Sequence, residues 1–216
     1  MSTATYEMTT PPTPFGTRTV SRRLLRHEIR RELLNALLSG SLPGGKYVTE
    51  KTLAAELGVS RTPLREALFG LEQDGFFQSR NGKGLIVTPL NVREVGEVFP
   101  ILATLEALAL RSSGELSEED STRLFARSAE PDPEWSRLLF SECGNDELSK
   151  EILRHQDRAL RYELAYFRAS GTPPWNPAER RRVVETMGRG EYDVAASLVE
   201  TLRLDTARRL VRWLSE

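Results

Sequence analysis

Residues 57–68 read LGVSRTPLREAL. A Gly-Val-Ser turn stands directly before a run that carries Arg61 and Arg65 four residues apart. Pro63 lies near its start, and Leu64, Ala67 and Leu68 mark the opposite face. Ser60 is placed to cap a helix there, and a first-turn proline is tolerated because the N–H it lacks would be unbonded anyway. The first turn of a helix offers free N–H groups and the positive end of the dipole, so it favours an anion. Ser60, Arg61, Thr62 and Arg65 crowd that end. Arg61 can contact a phosphate or grip a guanine edge with two hydrogen bonds. Lys51 and Lys83 add charge on either flank, and Gly82 would let a loop tip come close to a narrow groove. The same residues also fit an arginine-rich solvated face on an ordinary three-helix unit.

The elements around this stretch decide between the two. Leu25, Ile29, Leu33, Leu34, Leu37 and Leu38 recur at helical spacing over 24–38, and SGSLPGG ends that helix. Thr49 is expected to cap a second helix whose inward residues are Leu53, Ala54 and Leu57. Gly58 then supplies the break before the helix that begins at Ser60, and Gly75 ends that third helix. Phe77–Arg80 and Leu85–Thr88 read as short strands joined by the NGKG turn. Three helices followed by a hairpin make a winged helix-turn-helix, with the Ser60 helix as the recognition helix in the major groove.

The stretch from SGSLPGG through GLIV closely resembles the DNA-binding domain of GntR-family transcription regulators. The resemblance covers residues 22–90 and rests on Leu-Pro-x-Gly at 42–45, Glu50 at a helix start, and GVSRTPLREAL. It implies operator contacts by Lys51, Arg61, Thr62, Arg65 and Gly82. Lys51 stands where arginine is usual, and a lysine keeps the charge but loses the two-pronged geometry, so its implied role is phosphate contact.

After Pro89 the strand signals stop. Helical patterns follow at 92–112, interrupted by Pro100, and at 117–127, 132–143, 146–168, 177–188 and 191–214. The expected architecture is mainly α: a disordered tail at 1–21, the winged unit at 22–90, and an all-α bundle at 91–216. The bundle resembles the FCD type of effector-binding domain. Many such domains hold a divalent metal with an aspartate and three histidines. Laid onto this chain, that pattern puts Asp132 at the aspartate, with Ser136, Arg180 and Leu202 at the histidines. The chain has two histidines in all, His27 and His155, so no three-histidine site is possible within it, and no metal or other cofactor is expected. Both read as structural or surface residues. Asp132, Ser136, Arg180 and Leu202 point inward by helical spacing and become the candidate effector pocket. An arginine on an apolar stripe needs a partner. Arg180 could pair with Asp132, clamp an acidic ligand, or extend to solvent from its helix's first turn.

Bulk composition narrows the function classes. The chain is 39% hydrophobic and 28% charged, and its longest uncharged apolar runs fall far short of the ~20 residues of a membrane span. Cys143 is the only cysteine, which points to a reducing cytosol, and the N-terminus lacks the basic and apolar regions of a secretory signal. Residues 18–90 hold 12 Lys and Arg against 7 Asp and Glu, whereas residues 91–216 hold 18 against 23. A basic front half suggests that only the front meets a polyanion. An enzyme would need a convergent set of titratable groups. Asp132, Arg180 and Cys143 are the only candidates, and Cys143 has no histidine base nearby. No catalytic residue is therefore expected. The expected function is a cytoplasmic, dimeric, DNA-binding transcription regulator, more a repressor than an activator. It would sit on a palindromic operator and answer to a small, possibly acidic effector. The alternative keeps the DNA binding but leaves the helical half only to dimerise.

Overall fold

The computed structural model describes residues 18–80, 84–114, 117–128, 135, 138–140 and 143–216. The expected tail lies mostly outside these residues, as do Gly82 and Lys83 of the hairpin turn and Asp132 and Ser136 of the candidate pocket.

The front unit runs α1 (Arg18–Ser39), β1 (Tyr47–Val48), α2 (Glu50–Leu57), α3 (Arg61–Gln73), β2 (Phe77–Ser79) and β3 (Leu85–Val87). Its core gathers Ile29, Leu33 and Leu37 of α1, Leu53 of α2, Leu64, Leu68 and Leu71 of α3, and Phe76, Phe77 and Val87 of the hairpin. These are the stripes that the sequence pattern picks out. The first helix starts earlier than its apolar pattern, and one strand is new. Tyr47–Val48 pairs antiparallel with β3, Tyr47 opposite Ile86 and Val48 opposite Leu85, so the sheet has three strands in the order β1-β3-β2. Two residues are too few to show alternation, which is why only the folded chain reveals them.

The back unit is helical: α4 (Val92–Ser112), α5 (Glu118–Ala126), α6 (Asp146–Ser170), α7 (Pro177–Gly188) and α8 (Tyr192–Ser215), with Trp135, Leu138 and Leu139 helical between α5 and α6. Its core runs from Val95, Phe99 and Leu102 of α4 through Ile152 and Tyr162 of α6 to Val183 and Met187 of α7 and Val199 and Leu210 of α8. Pro100 does not interrupt α4, which runs unbroken through it. Pro100 and Gly96, whose carbonyl loses its helical partner, are both exposed, so the missing bond falls on the face that water can reach.

Charged residues join the two units. Asp74, at the C-terminal end of α3, receives Arg30 of α1 at 3.0 Å and Arg154 of α6 at 2.9 Å, and Arg154 also donates to the Gln73 carbonyl. Cations gathered at a helix C-terminus also meet the negative end of its dipole. Arg161 of α6, buried, donates to the Thr88 carbonyl at 2.9 Å and reaches Glu94 of α4 at 3.5 Å. No helix among the described residues is long and apolar enough to cross a membrane.

Candidate nucleic-acid interface

Two caps of different quality set the helix-turn-helix. Thr49 closes a capping box with Thr52: its hydroxyl accepts from the Thr52 N–H at 3.1 Å, and the Thr49 N–H donates back to the Thr52 hydroxyl at 3.2 Å. Gly58, with φ of 65°, ends α2 in the left-handed conformation that reverses the chain toward α3. Ser60 occupies the N-cap position of α3, but its side chain makes no capping bond. The expectation that its hydroxyl closes the helix is corrected on that point. The first-turn N–H groups of α3 stay open at the position where an anion would sit.

Lys51, Ser60, Arg61, Thr62 and Arg65 are all exposed. Thr49, Glu50, Lys51, Arg61, Arg65 and Gly84 border one concavity of about 520 Å³, so α2, the N-terminal half of α3 and the base of the wing face a common space. Gly84 has φ of 154°, and a Cβ there would stand 2.5 Å from the Tyr47 hydroxyl and 2.7 Å from the Val48 carbonyl. Only glycine fits where the wing crosses β1. Phe69 lies one turn beyond Arg65 on the same helix, 63% exposed, and borders the same space.

The sequence does not reveal what holds Arg65. Its Nε donates to both carboxylate oxygens of Glu50, at 2.8 and 2.7 Å. Glu50 reads in the sequence only as the start of α2; the pairing depends on how the two helices cross.

In the helical unit, Arg180 does not extend to solvent. It is 1% exposed, with its guanidinium 3.8 Å from the Trp175 ring centroid and 4.4 Å from that of Trp135. Flat stacking on indole faces stabilises a buried guanidinium in place of water. Leu202 is 2% exposed. Its neighbour Arg203 lies in the core as well, bonded to Glu106 and Glu163, a network that the helical stripes do not announce. His27 is exposed, and His155 is half-buried with its Nδ1 2.8 Å from the Glu151 carbonyl oxygen of its own helix.

A three-helix unit with a small winged sheet, an open recognition-helix N-terminus and exposed cations around it is the architecture of a winged helix-turn-helix. Residues 25–87 match the family model described as "Bacterial regulatory proteins, gntR family". The chain is 30% identical over 99 residues to the uncharacterized HTH-type transcriptional regulator YdhC of Bacillus subtilis, covering 46% of this chain and 44% of that protein. It is 30% identical over 89 residues to the gluconate operon transcriptional repressor of Bacillus licheniformis, covering 41% and 36%. The chain thus spans less than half the length of these curated relatives. The solved structure of E. coli McbR/YncC is similar over 88% of this chain and 98% of that one, at 19% identity and a TM-score of 0.64. The front unit is thus similar to the gntR-type helix-turn-helix domain, and a helical C-terminal domain follows it.

Proposed function

We propose that the chain is a sequence-specific DNA-binding transcription regulator, a repressor, with residues 22–90 as the DNA-binding domain and 91–216 as an FCD-like effector-binding and dimerisation domain. The observation that carries this reading is the common space bordered by Lys51, Arg61, Arg65 and the base of the wing at the open N-terminus of α3. Arg61, Thr62 and Arg65 would meet base edges and nearby phosphates; Lys51, Ser60, Gly82 and Lys83 would hold the backbone. One winged unit touches few base pairs, so two chains are needed over a palindromic site. Ile101 and Leu108 of α4, 49% and 48% exposed, with Leu105 between them, form an apolar stripe that a second chain would cover. Such a protein works in the cytoplasm.

The test is a titration of labelled operator, selected from random duplexes, with wild type and an Arg61→Ala, Arg65→Ala double variant. Each lost bidentate contact costs about 1–3 kcal/mol. A two-fold complex loses each of them twice, so the double variant should bind at least roughly a thousandfold more weakly. Wild type should load two chains per duplex. Normal affinity in the double variant would overturn the reading.

Asp132, Ser136, Arg180 and Leu202 are the proposed effector-site residues, with Arg180 as the anchor for an acidic group. The enclosure of Arg180 by two indoles favours a second reading, in which the helical unit only dimerises. A thermal-shift panel of small organic acids separates them: an acid that raises the midpoint of wild type but not of Arg180→Lys supports effector binding, and no response to any acid supports the second.

A further inference from the structure

The pairing of Glu50 with Arg65 crosses the helix-turn-helix, from the first residue of α2 to the fifth of α3. The Arg65 side chain is 66% exposed and that of Glu50 is 34% exposed, so the bridge contributes little to stability. Its geometry is more informative. The guanidinium has five N–H donors in a planar fork. Glu50 engages only Nε, and among the described residues the two Nη groups of Arg65 make no hydrogen bond. A carboxylate on Nε restricts the plane of the fork and leaves the paired Nη edge of this largely exposed side chain without a bonded partner among the described residues. That edge matches the O6 and N7 acceptors of guanine.

We propose that Glu50 is a positioning residue for base reading: it holds Arg65 in the orientation that presents its Nη edge to a guanine. The inference rests on the DNA-binding reading above. Two physical effects of Glu50 oppose each other, and the opposition makes the inference testable. As a charge, a carboxylate beside DNA repels phosphate, so its removal should tighten binding to every duplex alike. As a brace, its loss frees a long side chain to swing onto phosphates, and base discrimination falls.

The experiment measures the affinities of the full chain for the selected operator and for duplexes changed at single base pairs. Wild type, Glu50→Ala, Glu50→Gln, Arg65→Ala and the Glu50→Ala, Arg65→Ala double variant are compared, with thermal midpoints alongside. In Glu50→Ala, discrimination should fall about tenfold at the base pair where Arg65→Ala loses it and stay intact elsewhere. Glu50→Gln, which keeps an acceptor for Nε, should recover part of that loss. The double variant should discriminate no worse at that base pair than Arg65→Ala alone. Tighter binding to all duplexes with unchanged discrimination would make Glu50 a bare repulsive charge and overturn the proposal. Equal loss at every base pair with a lowered midpoint would make it a structural residue and overturn it too. If Arg65→Ala loses discrimination nowhere, there is no reader for Glu50 to position. Wild type without any sequence preference would instead remove the DNA-binding reading, and this inference with it.

Discussion

Glu106 has no exposed surface, yet it carries a charge in the middle of the helical unit. Its two oxygens accept from Arg203 Nε at 2.6 Å and Nη2 at 2.7 Å, and the Gln156 side-chain amide adds a third bond at 2.9 Å. Arg203 in turn donates Nη1 to Glu163 at 2.6 Å. Burial by itself would lower the arginine's pKa, but the Glu106 and Glu163 carboxylates outweigh it and hold the guanidinium above its ordinary value. A buried network of this kind is costly to break at one member, because the remaining charge keeps its desolvation penalty and loses its partner. Glu106→Ala should therefore destabilise the chain by about 3–5 kcal/mol, read as a shift of the urea midpoint at unchanged slope. A change below about 1 kcal/mol would mean that water or repacking replaces the carboxylate. Of the buried arginines Arg161, Arg180 and Arg203, the apolar stripes mark only Arg180 as an anomaly.

Among the elements, α2 and α3 begin in contrasting ways. The Thr49 hydroxyl satisfies the Thr52 N–H and the Thr52 hydroxyl the Thr49 N–H at the start of α2, whereas the Ser60 side chain satisfies none at the start of α3. Loss of a working N-cap costs about 0.5–2 kcal/mol. Thr49→Ala should lower stability by that amount, and Ser60→Ala should leave it within about 0.5 kcal/mol of wild type. Chemical denaturation of the two variants side by side checks this, and equal losses would mean that Ser60 closes its helix in solution. A recognition helix with unbonded first-turn donors keeps them for a ligand. The sequence marks both positions as caps, since serine and threonine are equally eligible. The residue three places on separates them: Thr52 offers Thr49 an N–H, whereas Pro63 has none to offer Ser60.

At the scale of the whole molecule, Tyr162 and Glu94 lie just behind the join between the units, next to Arg161, which crosses it to the Thr88 carbonyl. The Tyr162 hydroxyl donates to Glu94 at 2.6 Å and accepts from the Asn91 N–H at 3.2 Å, while Arg158 and Arg161 flank the same carboxylate. Burial first, and then the bond to Glu94, push the Tyr162 phenol from 10.0 up to about 12. Between those values the unfolded chain releases the proton and the folded chain keeps it. The contribution to stability is therefore complete below pH 10 and is lost as pH rises toward 12, at up to about 1.4 kcal/mol per pH unit. Unfolding midpoints followed from about pH 9 to about pH 12 should fall more steeply for wild type than for Tyr162→Phe. Parallel slopes would show that the phenol titrates normally.

Residue order along the chain suffices for what depends on neighbours within a few positions. The stripe Leu64, Ala67, Leu68 and Leu71, the left-handed turn at Gly58, the hairpin strands and the exposed face of Lys51, Arg61, Thr62 and Arg65 all follow from local periodicity and backbone preference, and the chain folds accordingly. Pairings between distant residues follow no such rule, because they depend on which helix faces meet. Arg65 meets Glu50 across 15 residues, and Arg203 meets Glu106 across 97. The enclosure of Arg180 by Trp135 and Trp175, the third strand at Tyr47–Val48 and the passage of α4 through Pro100 are likewise set by packing. Helical spacing states that a side chain points inward; only the assembled bundle supplies the charge or ring that it meets there.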